Sequence, residues 1–402
     1  MAGGMGWRST DVHMAPAQTT ELSNKEEIYQ MQKKLIAAAV AGLIAVPALA
    51  QTNVTISGRF AAGYQNYKLS GGGSTGLDTY NGVSDQSSRI IFNVKEDLGG
   101  GLAAWGQADM RFSQDLGAIA MSGNTGMGLM SNTWGKFTIG RWDVHYMEIA
   151  AGTNAGMRAG ALENVTSFGL MSQVNGVTIA NGTRTPNLMM WDSPNWNGFT
   201  ARLGYSTGAF GAEGGTNGGP AGGPGDPGDG HAWTGAVRYA NGPWKAGISH
   251  WSADAEGSSM PGILGAGDQR STRAWGSYQF GMGLSIGLAF DRSKLDLGAV
   301  SSSRSAWYIP INYAFGPHKI YFDYSKANDA SNTVGNSAGK QWSLGYDYAF
   351  SKRTSAGVYY TKVSNNTAGS YDMFAVGRNS ASLATLPGED ARMWYFGLAH
   401  NF

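Results

Sequence analysis

The chain closes with Met393-Trp394-Tyr395-Phe396-Gly397-Leu398-Ala399-His400-Asn401-Phe402, and this stretch decides the fold. Every second position holds a larger side chain: Trp394, Phe396, Leu398, His400 and Phe402. The positions between them hold Tyr395, Gly397, Ala399 and Asn401. A period of two is that of a β-strand, and about ten residues is the length with which a tilted strand crosses a bilayer. The closing stretch therefore predicts a membrane-spanning strand.

The composition favours an all-β protein with many tight turns. The 402 residues include 61 Gly, 13 Trp, 18 Tyr and 15 Phe, and there is no Cys. The absence of Cys excludes disulfides and thiolate metal sites, and we expect neither a metal nor another cofactor. A formal net charge of +1 gives no reason to expect a nucleic-acid partner.

The N-terminal residues predict a leader and not a part of the fold. Two lysines, an apolar run and an Ala-x-Ala ending make residues 31–50 a secretory signal peptide, with cleavage expected before Gln51. A membrane anchor is the alternative, but the run is short and ends in a cleavage site. Residues 1–30 are polar and precede a complete signal, so we expect a start codon assigned too early, with Met31 as the initiator. The mature barrel is then expected at 51–402.

Stretches of about ten residues with the same alternation recur along the mature chain. We count sixteen strands, at 52–67, 85–97, 101–114, 126–132, 135–142, 185–193, 199–207, 232–241, 243–252, 271–280, 283–293, 304–315, 318–326, 340–350, 353–363 and 391–402. Pro310 lies inside the twelfth of these strands. Because proline cannot donate to the ladder, we expect a bulge or a local break there.

The connections alternate between short turns and long polar loops. The long ones lie at about 68–84, 143–183, 208–231, 253–270, 293–303, 327–339 and 364–390. A soluble β-sandwich also alternates, but the polar strand positions here hold Ser, Gly, Asn and Asp more often than the Lys and Glu of a soluble surface. The pattern predicts a transmembrane antiparallel β-barrel with short periplasmic turns and long extracellular loops. Sixteen strands leave room for an aqueous channel.

Five segments resemble the trimeric general porins of Gram-negative bacteria, most closely the betaproteobacterial type. They are residues 88–102, 134–141, 192–199, 348–354 and 397–402, in family order across the mature chain. The resemblance implies a homotrimer in the outer membrane, surrounded by its lipid and lipopolysaccharide. It also implies that the family's third loop, which corresponds here to the connection at about 143–183, folds into the pore. Phe402 is then the terminal aromatic that the barrel-assembly machinery recognises. The strand at 185–193 is apolar on both faces, as a strand buried between protomers would be.

The resemblance further implies a constriction in which wall arginines face carboxylates of the inward loop. By motif position, the wall residues are Arg59, Arg89, Arg141 and Arg184, and the loop carboxylates are Glu163, Glu148 and Asp143. Arg59 and Arg89 lie on the polar faces of their strands. Alternation puts Arg141 with Phe137 and Ile139 on the other face, so we expect the strand to end there and free its direction. Ordinary solvation in the lumen, or a loop salt bridge, is the other interpretation of these arginines.

The expected function is passive diffusion of small hydrophilic solutes and not an enzymatic reaction. The sequence has no Gly-x-Ser-x-Gly motif, no phosphate loop and no metal-spaced histidine pair. His145, close to Asp143, is the one arrangement of interest for chemistry, and a structural role fits it better. Because the wall arginines outnumber the loop glutamates, we expect an anion-leaning pore. Two alternatives stay open: a substrate-selective outer-membrane channel, suggested by the Met-rich inward loop, and a barrel that acts mainly as an adhesin or structural sleeve.

Overall fold

The computed structural model describes residues 53–72, 79–85, 87–114, 116–148, 170–171, 173–175, 177–178, 184–209, 231–254, 268–296, 300–373 and 386–402. The segments predicted as an upstream extension and a signal peptide, 1–30 and 31–50, lie outside these residues. No helix in the described part of the chain is both long enough and apolar enough to span a membrane.

Twenty β-strands occur in the described residues. They are β1 (Asn53–Gly71), β2 (Thr79–Asp85), β3 (Arg89–Gly99), β4 (Leu102–Phe112), β5 (Ile119–Ala120), β6 (Thr125–Ser131), β7 (Gly135–Asp143), β8 (Gln173–Val174), β9 (Val177–Thr178), β10 (Arg184–Asp192), β11 (Phe199–Ser206), β12 (Ala232–Asn241), β13 (Trp244–Ala253), β14 (Asp268–Gln279), β15 (Leu284–Asp296), β16 (Ser301–Phe315), β17 (His318–Ala327), β18 (Gly339–Ala349), β19 (Thr354–Asn365) and β20 (Glu389–Asn401). Eighteen of them form one sheet, and β8 and β9 form a separate hairpin.

The large sheet is a closed antiparallel barrel of sixteen wall strands. β20 pairs with β1 over thirteen successive residue pairs, which closes the ring. β2 and β3 both pair with β1 and make one interrupted wall strand. β5 and β6 both pair with β4 and make another. The predicted sixteen-stranded all-β barrel is confirmed.

The predicted loops at one end of the barrel are too long. β1 continues to Gly71 and β2 occupies Thr79–Asp85, where the sequence predicted one loop at 68–84. Likewise, β15 continues to Asp296 and β16 begins at Ser301. These extensions are polar, and they keep their ladder pairs at the end of the barrel that carries the long connections. The apolar alternation that marks a strand in the sequence fades there, although the backbone pairing does not.

The two faces of the barrel differ as the alternation predicts. On β20, Phe396 and Leu398 are 51% and 53% exposed on the outside, whereas Tyr395 and Ala399 are fully buried on the inside. Inside the barrel, residues of β1, β14 to β17, β19 and β20 form an apolar cluster. This cluster includes Tyr146, Leu170 and Met171, so the described parts of the connection between β7 and β10 lie within the barrel.

Pairing between β15 and β16 is interrupted at Pro310. The pairs Ile286–Ile311 and Ala289–Tyr308 keep one register, but the two residue pairs between them are missing from the ladder. On its other side, Pro310 keeps its place opposite Asp323 of β17. The predicted disturbance is therefore a local break without a change of register.

Candidate functional site

Three arginines occupy directly opposed positions on neighbouring wall strands. Arg59 of β1 is the ladder partner of Arg89 of β3, and Arg89 is the partner of Arg111 of β4. Like charges in directly opposed positions destabilise a sheet. Asp109 partly offsets them, because its Oδ1 lies 3.0 Å from Arg111 Nε and its Oδ2 lies 3.7 Å from Arg89 Nη1. One buried carboxylate thus serves two of the three guanidinium groups.

These arginines point into the barrel. Phe60, next to Arg59, is 47% exposed on the outer surface, while Ala61 on the other side of Phe60 is 1% exposed. Alternation therefore directs Arg59 inwards, and ladder partners lie on the same face of a sheet. The inward direction that the sequence assigned to Arg59 and Arg89 agrees with this geometry.

Arg141 lies within its strand and not at the end of it, in contrast to the expectation from the sequence. β7 continues to Asp143. Immediately before Arg141, Gly140 has φ of +143°, a backbone conformation open to glycine, and a Cβ there would collide with the carbonyl of Thr125. This irregular residue explains why simple alternation does not give the direction of the Arg141 side chain.

Arg141 and Arg184 belong to the same charged group as the three opposed arginines. The charge of Arg184, at the start of β10, acts on both Arg141 and Arg89. The structure therefore brings together all four predicted wall arginines and adds one more. The arginine cluster, as we name it, consists of Arg59, Arg89, Arg111, Arg141 and Arg184.

Asp143 pairs with a wall arginine, Arg184, on the neighbouring strand of the barrel wall. It is the last residue of β7 and the ladder partner of Arg184, with its Oδ1 3.3 Å from Arg184 Nε. Asn124 Nδ2 donates a 2.7 Å hydrogen bond to its Oδ2. Asp143, which the sequence placed at the entry of the inward loop, is thus the last residue of the strand before that loop, and it pairs with one of the predicted wall arginines. Glu163, the carboxylate that the sequence favoured, lies outside the described residues.

Glu148 lies on the helical turn 145–148 that follows β7, and it is 3% exposed. Arg238 of β12 donates to it from both Nε and Nη2, and Arg202 Nη1 of β11 lies 3.2 Å from its Oε1. Arg202 also donates a 2.7 Å hydrogen bond to Asp192. The sequence expected Glu148 to face the four predicted wall arginines, but its ion pairs are with two other arginines. It therefore does not offset the arginine cluster.

A buried charged group that the sequence did not predict lies on the far side of the ring. Asp291 of β15 lies between two arginines: Arg273 Nε of β14 donates a 3.0 Å hydrogen bond to its Oδ2, and Arg304 Nη1 of β16 donates to its Oδ1. All three residues are at most 3% exposed. We call them the loop latch. Their positions on the inner faces of three successive predicted strands were the available signal.

The loop latch holds the inward connection by its backbone. Its guanidinium groups donate to the carbonyl oxygens of His145, Tyr146, Leu170, Met171 and Gln173. Guanidinium groups suit this role because they remain charged and present five donors in a fixed fork. The connection is thus tied to the wall on both sides of its undescribed middle.

His145 completes this attachment through its ring. Its Nδ1 lies 2.9 Å from Ser249 Oγ and its Nε2 lies 2.8 Å from Ser271 Oγ, and Ser271 in turn donates to Asp291. Burial holds the pKa of His145 well below its usual value, and the nearby charge of Arg273 lowers it further. The imidazole is neutral and structural, and its ring contacts serines rather than Asp143.

A second long connection also contacts the inward one. Gln173 Nε2 donates a 2.7 Å hydrogen bond to the carbonyl of Asp372, and the backbone N–H of Asn175 donates a 3.1 Å bond to Tyr371 Oη. Tyr67 Oη of β1 donates a 2.9 Å bond to the Asp372 carboxylate. The segment around 371–372, which precedes β20, and the segment around 173–175 are therefore joined to each other and to the wall.

Phe402 closes the barrel against the first strand. Its backbone N–H donates a 3.1 Å bond to the Gly58 carbonyl, and Gly58 N–H donates a 3.0 Å bond in return. The Phe402 ring fills the space that a Cβ on Gly58 would need, and its centroid lies 5.6 Å from that of Phe60. Its role as an assembly signal stays a prediction.

Comparison with known sequences identifies relatives over most of the chain. A family model described as Gram-negative porin matches residues 37–368. An outer membrane porin protein of Bordetella pertussis is 28% identical over 380 residues, which cover 83% of this chain and 95% of that protein. The major outer membrane protein P.IB of Neisseria gonorrhoeae is 30% identical over 186 residues, 44% of this chain and 48% of that protein.

Comparison with solved structures gives the same fold. An anion-selective porin from Comamonas acidovorans superposes with a TM-score of 0.69 at 19% identity, covering 88% of this chain and 100% of the other. The trimer form of OmpT, an outer membrane protein of Vibrio cholerae, superposes with a TM-score of 0.60 at 14% identity, covering 87% and 99%. At these identities the likeness concerns the fold alone.

Proposed function

The chain belongs to the Gram-negative porin family, and from this premise we propose that its pore prefers anions. The barrel lies in the Gram-negative outer membrane and forms a water-filled channel through which small hydrophilic solutes diffuse passively. Members of this family are channels, and no reaction is needed to account for the charged lining. What the family leaves open is the sign of the selectivity.

The charge balance of the arginine cluster carries the proposal. Five guanidinium groups face four carboxylates: Asp109 and Asp143 form the ion pairs described above, and the charges of Asp85 and Asp347 act on Arg59. Glu148, the described glutamate of the inward connection, is occupied by Arg202 and Arg238. At an effective dielectric constant near 20, two charges about 4 Å apart interact by roughly 4 kcal/mol. An excess of positive charge on the wall of the lumen would therefore favour anions over cations.

The likeness to an anion-selective porin from Comamonas acidovorans supports this direction. The alternative of a substrate-selective channel rested partly on the methionines of the inward connection. Two of these, Met147 and Met171, pack in or against the interior apolar cluster. Their packing role gives the substrate-selective alternative no support.

The reversal potential of a single channel in a potassium chloride gradient tests the proposal. Potassium and chloride ions have similar mobilities in water, so the sign of the potential reports the charge of the pore. We expect the sign of an anion-selective channel. A cation-selective sign would overturn the charge assignment and leave the porin family membership intact.

We also propose that the functional unit is a homotrimer. Support comes from the trimer form of the OmpT structure, which shares the fold. The strand predicted at 185–193 gives no further support, because Leu188 and Met190 are buried in an interior cluster with Val144 and Trp251. Its second apolar face is thus explained within one barrel. A band of trimer mass on unheated gels, converted to monomer by heating, is the expected observation.

A further inference from the structure

A lysine in the lumen lies against two tryptophan rings. The Nζ of Lys136 on β7 is 3.4 Å from the ring centroid of Trp105 on β4 and 4.7 Å from that of Trp142 on β7. The two rings meet edge to face, with their centroids 5.4 Å apart. All three side chains are partly buried and partly open to solvent. We call these three residues the tryptophan–lysine site.

The tryptophan–lysine site is on the inner face of the barrel. Ile139 is 51% exposed on the outer surface, and the regular pairing of β7 with β10 from Ile139 to Lys136 puts the lysine on the opposite face. Trp105 alternates in phase with Asp109, which contacts the inward arginines. Trp142 packs against an interior apolar cluster. Solutes in the lumen therefore have access to all three side chains.

The site lies nearer to the short turns than the arginine cluster does. Trp105 is close to the start of β4, which follows the short turn at 99–101. Arg111 lies near the other end of the same strand and on the same face, and the rise of a strand separates the two residues by about 20 Å. A solute that enters from the end with the long connections meets the arginine cluster first and this site second.

The ammonium group of Lys136 has no ion pair and no hydrogen bond within the described residues. Its contacts there are the two indole rings. Its ladder partner on β10 is Asp192, but that carboxylate accepts a 2.7 Å hydrogen bond from Arg202 Nε. A partly buried cation without its own counter-ion favours the arrival of an anion, because both charges are then paired.

The two indole rings decide which anion fits beside this lysine. The face of an aromatic ring carries partial negative charge and its edge carries partial positive charge. A small inorganic anion gains the charge of Lys136 but meets ring faces beside it. A carboxylate on an aromatic body pairs with the same ammonium and also packs its own ring against the indoles. The arrangement therefore favours an aromatic carboxylate over a small inorganic anion.

The two indole N–H groups have different roles. Trp105 Nε1 donates a 3.1 Å hydrogen bond to the carbonyl of Phe137, which holds this ring in place against the wall. The N–H of Trp142 has no acceptor in the part of the chain that the structure describes. It offers a second donor to a carboxylate beside Lys136.

A second cation flanks Trp105 on its other side. Lys95 of β3 is the ladder partner of Trp105, and it is exposed. Its neighbour Val94 is 39% exposed on the outer surface, so alternation directs Lys95 into the lumen. The positive charges of Lys95 and Lys136 together draw carboxylates to this part of the wall.

Given the anion preference proposed above, we propose that the tryptophan–lysine site binds aromatic carboxylates on their way through the pore. The carboxylate pairs with Lys136, and the aromatic ring packs against Trp105 and Trp142. A site of aromatic side chains with a few placed polar groups is typical of small-molecule binding. The arginine cluster then selects for charge, and this site selects among anions for those that carry a ring.

Block of the chloride current through the full-length protein in a planar bilayer tests the proposal. The probes are phenylacetate, acetate, which has the same charge without the ring, and 2-phenylethanol, which has the ring without the charge. Phenylacetate bound in the lumen reduces the chloride current in a saturable way. The test variants are Lys136→Met, which keeps an unbranched side chain and removes the charge, and Trp142→Leu, which removes one ring.

The matched control is Lys245→Met, which removes another lumen lysine at the end with the short turns. Lys245 of β13 is exposed, and it alternates in phase with Ser249, which is 2% exposed on the inner face. Its ladder partners are Ala240 and Ser277, so no aromatic residue is directly opposite.

We expect phenylacetate to block half of the current at a concentration about tenfold lower than acetate does, because ring packing adds to the charge pairing. The uncharged 2-phenylethanol should not block. Both test variants should lose the preference for phenylacetate over acetate, and the control should keep it. Equal block by phenylacetate and acetate in the unmodified protein would overturn the proposal. So would an undiminished preference in Lys136→Met, or an equal loss in the control.

Two further comparisons keep the test decisive. Lys136→Arg should keep the preference because it keeps the charge, and a loss as large as that in Lys136→Met would contradict the pairing with the carboxylate. If a test variant does not fold, the comparison of phenylacetate with acetate on the unmodified protein still decides. A cation-selective reversal potential contradicts the proposed function, whereas an anion-selective pore that phenylacetate and acetate block alike contradicts the aromatic site alone.

Discussion

Directly opposed cations occur twice in this barrel, and the partners of the individual residues differ between the two places. In the lumen, Arg89 has an arginine on each side in the ladder and shares Asp109 with one of them. On the outer face, Arg392 of β20 has Lys68 and Lys362 as its two ladder partners. The ion pair described here belongs to Lys362, which pairs with Asp390. Repulsion between opposed cations is retained in a folded protein where the charges bind a ligand or produce an electrostatic field.

Replacing Arg89 and Arg141 by Ser together should move the reversal potential toward cations. The double variant removes two of the five charges of the arginine cluster and keeps the carboxylates of Asp109 and Asp143. Shorter side chains should also raise the single-channel conductance modestly. The measurement is a planar-bilayer recording in a salt gradient.

The matched control for this variant removes two exposed charges from the outer face of the barrel. Arg270 of β14 and Arg292 of β15 point away from the lumen, because they alternate with the buried residues Ser271 and Ser293. Replacing both by Ser should leave the reversal potential unchanged. An equal shift in the control would assign the selectivity to the charge of the whole protein and not to the arginine cluster.

At the residue scale, the sequence predicted the wall arginines better than their carboxylate partners. The direction of Arg59 follows from regular alternation, whereas that of Arg141 depends on the irregular backbone of Gly140. The partners of Glu148 depend on the path of a connection that folds back into the barrel. No local pattern in the sequence encodes that path, so the pairing of Glu148 with Arg202 and Arg238 could not be predicted.

At the scale of elements, the inward connection is stabilised by the strands that it contacts. The loop latch places one carboxylate between two buried arginines and uses their other donors for backbone carbonyls. A buried charge without a partner is strongly unfavourable, so the three members depend on one another. The latch thus couples the position of the connection to the integrity of β14, β15 and β16.

Asp291→Asn should destabilise the protein by about 3–5 kcal/mol, because it leaves two buried guanidinium groups without their shared counter-charge. The measurement is urea unfolding in detergent, followed by tryptophan fluorescence. The matched control is Asp296→Asn on the same strand, whose partner Lys294 is 45% exposed. Loss of such an exposed pair costs about 0–1 kcal/mol. Equal destabilisation by the two variants would show that Asp291 does not hold a buried charged group.

The elements themselves were largely predictable because each wall strand has one face toward lipid and one toward water. That contrast produces the alternation from which all sixteen wall strands were recognised. It fails beyond the membrane, where β2 and the ends of β15 and β16 have polar residues on both faces. It also fails for the hairpin of β8 and β9, which is only two residues per strand and lies inside the barrel.

For the whole molecule, the formal net charge of +1 conceals a strong separation of charge. The arginine cluster and the outward-facing basic residues Lys326, Lys340, Lys362, Arg392 and Lys68 are both positive, and β1 contributes to both, with Arg59 inside the barrel and Lys68 outside. Carboxylates elsewhere, such as those of the loop latch and of Glu148, are held in buried ion pairs. Composition alone predicted no electrostatic function, and the register of the strands was needed to see these two surfaces.

The preference for anions should depend strongly on salt if the field of the arginine cluster produces it. Screening acts over about 10 Å at 0.1 M ionic strength and about 3 Å at 1 M. The side chains of Arg89, Arg111 and Arg184 are 29%, 16% and 20% exposed, so they meet the solution in the lumen but remain partly shielded. The ratio of anion to cation permeability should therefore be largest in dilute salt and decline toward the ratio in free solution.

Reversal potentials recorded at a fixed gradient and a series of mean concentrations measure this dependence. The variant with Arg89→Ser and Arg141→Ser should give a flatter curve, because less of its selectivity comes from fixed charge. A ratio that does not change with salt in the unmodified protein would contradict the field mechanism and indicate a saturable site for anions. A flat curve at a cation-selective value would instead indicate that carboxylates outside the described residues, Glu163 among them, outweigh the arginine cluster.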